Sequence, residues 1–206
     1  MLPEKSYHHG ELREALLNAA LDLVRAEGPG ALSLRRLAKA VGVSAMAPYH
    51  HFPDRGALLA AVATRGFEQL QESKLANHAA HHNLADALAT GAANYCRFIL
   101  DNPNLYRLMS DPALVERADD PHLIAAAQAP AAMLLQMVTQ LFAECDVEDI
   151  APRDGATMLW GIAHGLGTLA IDGQLTDPQA ITLSEQGAAA MIRDWTRRGP
   201  SNRVGD

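Results

Sequence analysis

Leu34 to Phe52, LRRLAKAVGVSAMAPYHHF, is the stretch from which the rest of this 206-residue chain is read. Leu34, Leu37, Ala38 and Val41 recur three or four apart, the spacing of one helix face, and Ser33 stands before them as an N-cap. Gly42 ends that helix, because glycine takes the left-handed backbone of a helix C-terminus at little steric cost. After a tight turn through Val43, Ser44 caps a shorter helix, Ala45 to His50, and Phe52-Pro53-Asp54 closes it and caps the next. An apolar-faced helix, a glycine turn and a serine-capped second helix are the parts of a helix-turn-helix, in which the second helix is offered to the major groove of DNA. On turn spacing alone, a plain helical hairpin has the same pattern.

Upstream, Leu12, Leu16, Leu17, Ala20, Leu21 and Val24 lie at helical spacing from Glu11 onward, and Gly28-Pro29-Gly30 stops that helix. Downstream, a fourth helix is expected from Arg55 to about Ser73. Asn77 to Asn83, NHAAHHN, has no apolar face, and the joint between two regions is placed there or just before it. Four more helical patterns follow, over 84–100, 121–145, 153–172 and 178–197, with a kink expected at Pro130 because proline removes an amide donor. Asn102-Pro103 and Asp111-Pro112 bracket a short helix, and Gly199 to Asp206 reads as a flexible tail.

Composition agrees with an all-α fold. Alanine supplies 38 residues, against 23 for valine, isoleucine and threonine together, which excludes a β-sandwich or β-barrel. The formal charge of −7 argues against a protein that coats nucleic acid over its whole surface, but it is unevenly spread. Residues 1–70 carry a net +1 and residues 71–206 a net −8, so the two parts differ in kind. Cys96 and Cys145 are far apart and form no CxxC motif, and both read as buried free thiols. The N-terminus lacks the apolar core of a signal peptide. The stretch Ala156 to Ile171 is shorter than the ~20 residues of a membrane span. It also holds His164 and three glycines, so the chain is expected to be cytoplasmic with no membrane partner.

The residues around the helix-turn-helix carry a closer likeness. A long first helix, the Ser33-capped and Ser44-capped pair, then Tyr49-His50-His51-Phe52 followed by Pro53-Asp54-Arg55 and Leu58-Leu59, resembles the N-terminal domain of the TetR family of transcriptional regulators over about residues 8 to 65. Trp160-Gly161-Ile162-Ala163-His164-Gly165 looks like the Trp-His-Gly signature in the C-terminal domain of one subgroup, which often shows the Ala47-Pro48-Tyr49 form of the recognition helix. The resemblance implies a helix-turn-helix DNA-binding domain over 1–55, a connecting helix over 55–73, and a larger helical-bundle ligand-binding and dimerisation domain over 74–198. It implies a homodimer, usually a repressor, that a small molecule releases from operator DNA. Ser33, Arg35, Tyr49, His50 and Arg55 then map onto positions that hold the phosphate backbone, and Ser44, Ala45 and Met46 onto the face turned to bases. Ala45 stands where many members have a basic residue, and Gly56 where many have a glutamate, so readout leans on thymine methyl contacts and DNA shape. Lys5, Tyr7, His8 and His9 are candidates for a DNA-contacting arm, with an unstructured tail as the alternative. Phe52 is expected to be structural.

In the second region, Gly161, Gly165 and Gly167 on one helix and Gly187, Ala188, Ala189 and Ala190 on the next allow two backbones to approach, either across a two-fold dimer or within the chain. Tyr95, Phe98, Met109, Met133, Leu134, Met137, Trp160 and His164 form an apolar set with polar tips, suited to a small lipophilic effector or to ordinary core. His78, His81 and His82 are the one metal-like cluster, and no HExxH, ExxH or paired cysteines support it. No nucleophile elbow, phosphate loop or cofactor motif is found, so no cofactor is expected. The competing class is a helical-bundle enzyme or carrier with no DNA role, which requires convergent acids or histidines that the sequence does not display. A third reading keeps the fold but loses the DNA.

Overall fold

The structure, a computed structural model, describes residues 9–112, 114 and 120–197. Lys5, Tyr7, His8 and the Gly199 to Asp206 tail lie outside the described residues, and only the backbone of His9 is described. Among the described residues there are eight α-helices and no strand: α1 His9–Glu27, α2 Leu34–Val41, α3 Arg55–Ala80, α4 Leu84–Asp101, α5 Pro103–Met109, α6 Pro121–Glu144, α7 Pro152–Ile171 and α8 Asp177–Arg197. Single 3-10 turns cover Pro29–Ala31 and Ala47–His50. The chain packs as two units, one running to Phe67 and adding Asn102–Ala127, the other comprising Glu68–Asp101 and the chain from Gln128 onward.

In the first unit, Leu16, Ala20 and Val24 of α1, Leu34 and Leu37 of α2, Phe52, and Leu58 and Val62 of α3 are buried. Helix α2 starts where expected, with the Ser33 Oγ accepting from the Arg36 amide at 3.2 Å. It ends at Gly42, whose φ of 79° is the left-handed conformation. The following segment differs from the expected helix Ala45 to His50: the regular turn begins only at Ala47, and Ser44 makes no side-chain cap to it. Pro48 explains this. Without an amide it cannot bond back to Ser44, so the backbone closes three-residue rings instead, Ala47 N to Ser44 O at 3.0 Å and Tyr49 N to Met46 O at 3.1 Å. Asp54 caps α3 as expected, its Oδ1 accepting from the Ala57 amide at 2.8 Å. Residues 102–104 are tied to the end of α1: Arg25 Nε donates to Asn102 Oδ1 at 2.8 Å, and Asn104 Nδ2 donates to Arg25 O at 3.0 Å.

Helix α3 runs on to Ala80 instead of ending near Ser73. The first part of the polar stretch that reads as a joint, Asn77 to Ala80, is helical because Asn77 turns inward. It is buried, its Nδ2 donates to Ala87 O at 2.8 Å, and its Oδ1 accepts from Asn94 Nδ2 at 3.0 Å. In the second unit α4, α7 and α8 pack on one another. Leu88, Ala92, Val138, Phe142, Leu159, Ala163, Ala188, Ile192 and Trp195 form a core in which Trp195 meets Phe142 edge-on at 5.4 Å. The small residues divide by role: a Cβ on Gly167 would collide with Ile99, and one on Gly187 with Ile162, whereas at Gly161 and Gly165 it would meet nothing within 4 Å. Cys96 is buried and Cys145 only half-buried, against the expectation that both are buried, and both are free thiols. Of the described helices, α6, not the Ala156 to Ile171 stretch, is long and apolar enough by length and composition to cross a membrane.

Candidate functional site

Ser33, Arg35, Ser44, Ala45, Met46, Tyr49, His50 and Arg55 are all exposed, while Leu34, Leu37, Pro48 and Phe52, interleaved with them, are buried. The segment thus spends its apolar residues on the core and turns its polar ones to water. Met46 is 64% exposed and Tyr49 42%, large side chains that serve no core and are available to a partner. Phe52 is structural as expected, buried beneath the Arg13 guanidinium, which lies 5.4 Å from the ring centre.

The basic residues differ in what they are free to do. Arg36 pairs with Glu27, Nη1 to Oε2 at 2.9 Å and Nη2 to Oε1. That hydrogen bond holds the Glu27 carboxyl below its usual value and the guanidinium above its own. Arg35 and Lys39, one turn apart on the exposed side of α2, have no hydrogen bond or ion pair from their side chains among the described residues. Arg55 is committed otherwise: Nε donates to Leu32 O at 2.9 Å and Nη2 to Pro29 O at 2.6 Å. Its first duty is therefore to hold the loop before α2 to the start of α3, a role its sequence context did not reveal.

A second site lies wholly within the second unit, in an apolar pocket enclosing about 490 Å³, part of it open to solvent. Tyr95, Met133, Leu134, Met137 and Trp160 of the expected set line it, together with Ala87, Leu88, Gly91, Ala92, Leu159 and Ala163. Three expected residues do not line it. Met109 belongs to the first unit, where its sulfur fills the space that a Cβ on Gly66 would need. Phe98 is half-buried away from the lining, and His164 stands behind Tyr95, its Nδ1 3.0 Å from the phenol oxygen. Trp160 Nε1 donates to the same oxygen at 3.3 Å, and its ring centre is 5.0 Å from that of His164, one turn further along α7. Indole is only a donor, so the phenol oxygen accepts from Trp160, and it shares a second hydrogen bond with His164 Nδ1. Burial pushes the His164 imidazole below its usual value, which favours the neutral ring.

The polar lining comes from Lys74 and Asn77 of α3, with Gln71 one turn earlier. Lys74 Nζ donates to Pro130 O at 2.9 Å, and burial lowers its pKa to about 8. Gln71 Nε2 donates to Met133 Sδ at 3.4 Å, and its buried Oε1 has no hydrogen-bond partner among the described residues. Among the described residues no three His, Cys, Asp or Glu side chains are grouped to hold a metal, and His81 Nδ1, just past the end of α3, lies 2.8 Å from Asn77 O.

The sequence over residues 16–62 matches the family described as bacterial regulatory proteins, tetR family, and residues 88–195 match the tetracyclin repressor-like C-terminal domain. The second match alone spans more than half of the chain. The chain belongs to the tetR family. A tetR-family chain with these two domains is a ligand-responsive, DNA-binding transcriptional regulator. A protein of unknown function from Rhodococcus sp. RHA1 is 30% identical, with a TM-score of 0.82 over 94% of this chain and 100% of that one. A TetR/AcrR-family transcriptional regulator from Thermobifida fusca is 19% identical, with a TM-score of 0.70 over 86% of this chain and 96% of that one. A TetR-family transcriptional regulator from Pectobacterium atrosepticum is likewise 19% identical, at 0.69 over 91% and 95%. No curated protein matches the chain.

Two features of this tetR-family regulator escape a reading by apolar periodicity. Lys39 completes an exposed cationic pair with Arg35, and the i, i+4 spacing on α2 was the signal for it. Gln71, Lys74 and Asn77 recur every three residues, a polar stripe that reads as solvent-facing and instead turns to α4 and α6.

Proposed function

We propose that the protein acts as a homodimeric repressor in the bacterial cytoplasm, released from operator DNA by a small lipophilic effector, and performs no catalysis. One observation carries the reading: an exposed polar face around the helix-turn-helix and a partly open apolar pocket occur in separate packing units of the same chain. Residues 1–55 serve as the DNA-binding domain, residues 74–198 as the effector-binding and dimerisation domain, and α3 connects them. Arg35, Lys39, Tyr49 and His50 hold phosphates, with the Ser33 hydroxyl as a further donor, and Ser44, Ala45 and Met46 face the bases. Arg55 supports that face from beneath.

For the dimer, Met158, Gly161, Gly165 and Leu169 make an exposed small-and-apolar stripe along α7, and Leu183 and Ala190 continue it on α8. Met158 is 47% exposed and Leu183 43%, and a two-fold contact buries each such residue twice. An effector shifts the protein off DNA only by its differential affinity for the two states, and by linkage operator DNA weakens the effector by the same factor.

The test is binding of the full-length protein to DNA flanking its own gene, titrated with salt. The expected outcome is a dimer footprint on two half-sites about one helical turn, ~34–36 Å, apart, with affinity falling steeply as salt rises. Equal affinity for scrambled DNA of the same length at every salt concentration rejects the reading.

A further inference from the structure

We propose that the pocket of the second unit takes a lipophilic monoanion, a carboxylate on an apolar tail, with the Lys74 ammonium as its counter-ion. The biological use of this chemistry rests on the effector reading above.

The argument is one of hydrogen-bond and charge accounting inside the pocket. The other polar side chains of the lining already have partners, and Gln71, one turn before Lys74, leaves only an acceptor, its buried Oε1, without one among the described residues. The Tyr95 oxygen takes the Trp160 N–H and is hydrogen-bonded to His164 Nδ1, and the Asn77 amide is engaged at both ends by Ala87 O and Asn94 Nδ2. Lys74 is not so placed. Its ammonium has three N–H donors, and the one hydrogen bond it makes among the described residues is to the Pro130 carbonyl at 2.9 Å. No described carboxylate lies within 4.0 Å of it.

A half-buried cation held against methionine, leucine, alanine and aromatic surface without an anion is costly, because the ammonium has lost part of its water and no charge replaces it. The lowered Lys74 pKa is a consequence of that same burial. A methionine or leucine at position 74 would fill the pocket wall without this penalty. The ligand that removes the penalty is one that brings a negative charge to Nζ while its tail covers Met133, Met137 and Leu159. A neutral ligand of the same shape dries the ammonium further and leaves it uncompensated. A second cation repels it. A dianion leaves one charge unmatched, since Lys74 is the only formally charged side chain in the lining. The choice therefore falls on a single carboxylate, at the polar α3 side of the pocket, with the tail directed toward α6 and α7.

The experiment uses the full-length protein and three probes of equal chain length: octanoate, 1-octanol and octylamine. Binding is followed by calorimetry and by tryptophan fluorescence, to which Trp160 in the pocket lining and Trp195 in the core both contribute. Octanoate is expected to bind about 10-fold or more tightly than 1-octanol, in line with a charge-assisted hydrogen bond, and octylamine most weakly. Lys74→Met is expected to abolish the preference by weakening octanoate while leaving 1-octanol unchanged or tighter, and Lys74→Arg to keep it. Equal affinities for octanoate and 1-octanol in the native protein overturn the proposal, as does a Lys74→Met variant that retains the preference. If Lys74→Met does not fold, the order of the three probes on the native protein, with Lys74→Arg, decides. Gel-shift with the flanking DNA separates this inference from the effector reading. Octanoate that binds at Lys74 without releasing DNA supports the pocket chemistry and counts against the effector role. Release by 1-octanol and not by octanoate supports the effector role and overturns the pocket chemistry.

Discussion

Arg55 donates through Nε to the carbonyl oxygen of Leu32 at 2.9 Å, which fastens the first turn of α3 to the loop ahead of α2. Leu32 is buried, so this carbonyl has few other donors to turn to. Arg55→Ala is expected to lower stability by about 1–3 kcal/mol, and to weaken DNA binding as a result. Urea unfolding and gel-shift on the same variant check this. A variant of native stability that binds DNA poorly would return Arg55 to a phosphate-contacting role.

The exposed cations on α2 make a separate case. Arg35→Ala and Lys39→Ala should each weaken flanking and scrambled DNA by similar factors and reduce the slope of log affinity against log salt by ~0.9, since each cation releases about one counter-ion. Tyr49→Phe should weaken both DNAs alike and leave the slope unchanged, because a phenol carries no charge. Met46→Ala should act on preference among sequences. Fluorescence anisotropy over a salt series distinguishes the three outcomes, and a changed base preference for Arg35→Ala would contradict the assignment.

Gly165 and Gly167 are two residues apart on α7 with opposite surroundings. Gly167→Ala places a methyl group against Ile99 and should destabilise the chain by about 1–3 kcal/mol, with the dimer otherwise assembled. Gly165→Leu points into open space within one chain, so it should fold normally and fail to dimerise. Sedimentation velocity combined with thermal unfolding reads both, and an intact Gly165→Leu dimer would place the interface elsewhere.

Lys74 makes stability depend on pH in a definite direction. Its pKa falls from 10.5 in the unfolded chain to about 8 in the folded one, so at pH values between these the unfolded state binds more protons. The native protein should therefore gain stability relative to Lys74→Met as pH rises from about 8 towards 10.5, and show a constant difference below 8. Among the pocket-lining residues Tyr95 is the only other titratable group, and it is common to both proteins. Urea midpoints at a series of pH values give the difference. A gap that does not move across that interval means that Lys74 is hydrated in solution.

The sequence by itself determined the fold class and the position of almost every helix, because apolar residues three and four apart, caps such as Ser33 and Asp54, and stops such as Gly42 act locally. It also separated the exposed residues of the helix-turn-helix from its core, since alternation of polar and apolar residues on a short helix leaves little choice of face. The third segment was misread for a local reason too: Pro48 denies one amide and turns an expected α-helix into 3-10 turns.

What only the tertiary structure decided is the company each side chain keeps across the chain. Spacing along α3 cannot tell whether Gln71, Lys74 and Asn77 face water or α4 and α6, because polar residues are as compatible with an inward face as apolar ones once partners 10 to 62 residues away satisfy them. The same holds for Met109, which composition grouped with a pocket and packing assigned to the other unit. It holds for the glycines of α7, where Ile99 fills the space beside Gly167 and leaves Gly165 bare. Burial and charge compensation are properties of contacts between distant segments, and a single strand of sequence does not contain those contacts until it has folded.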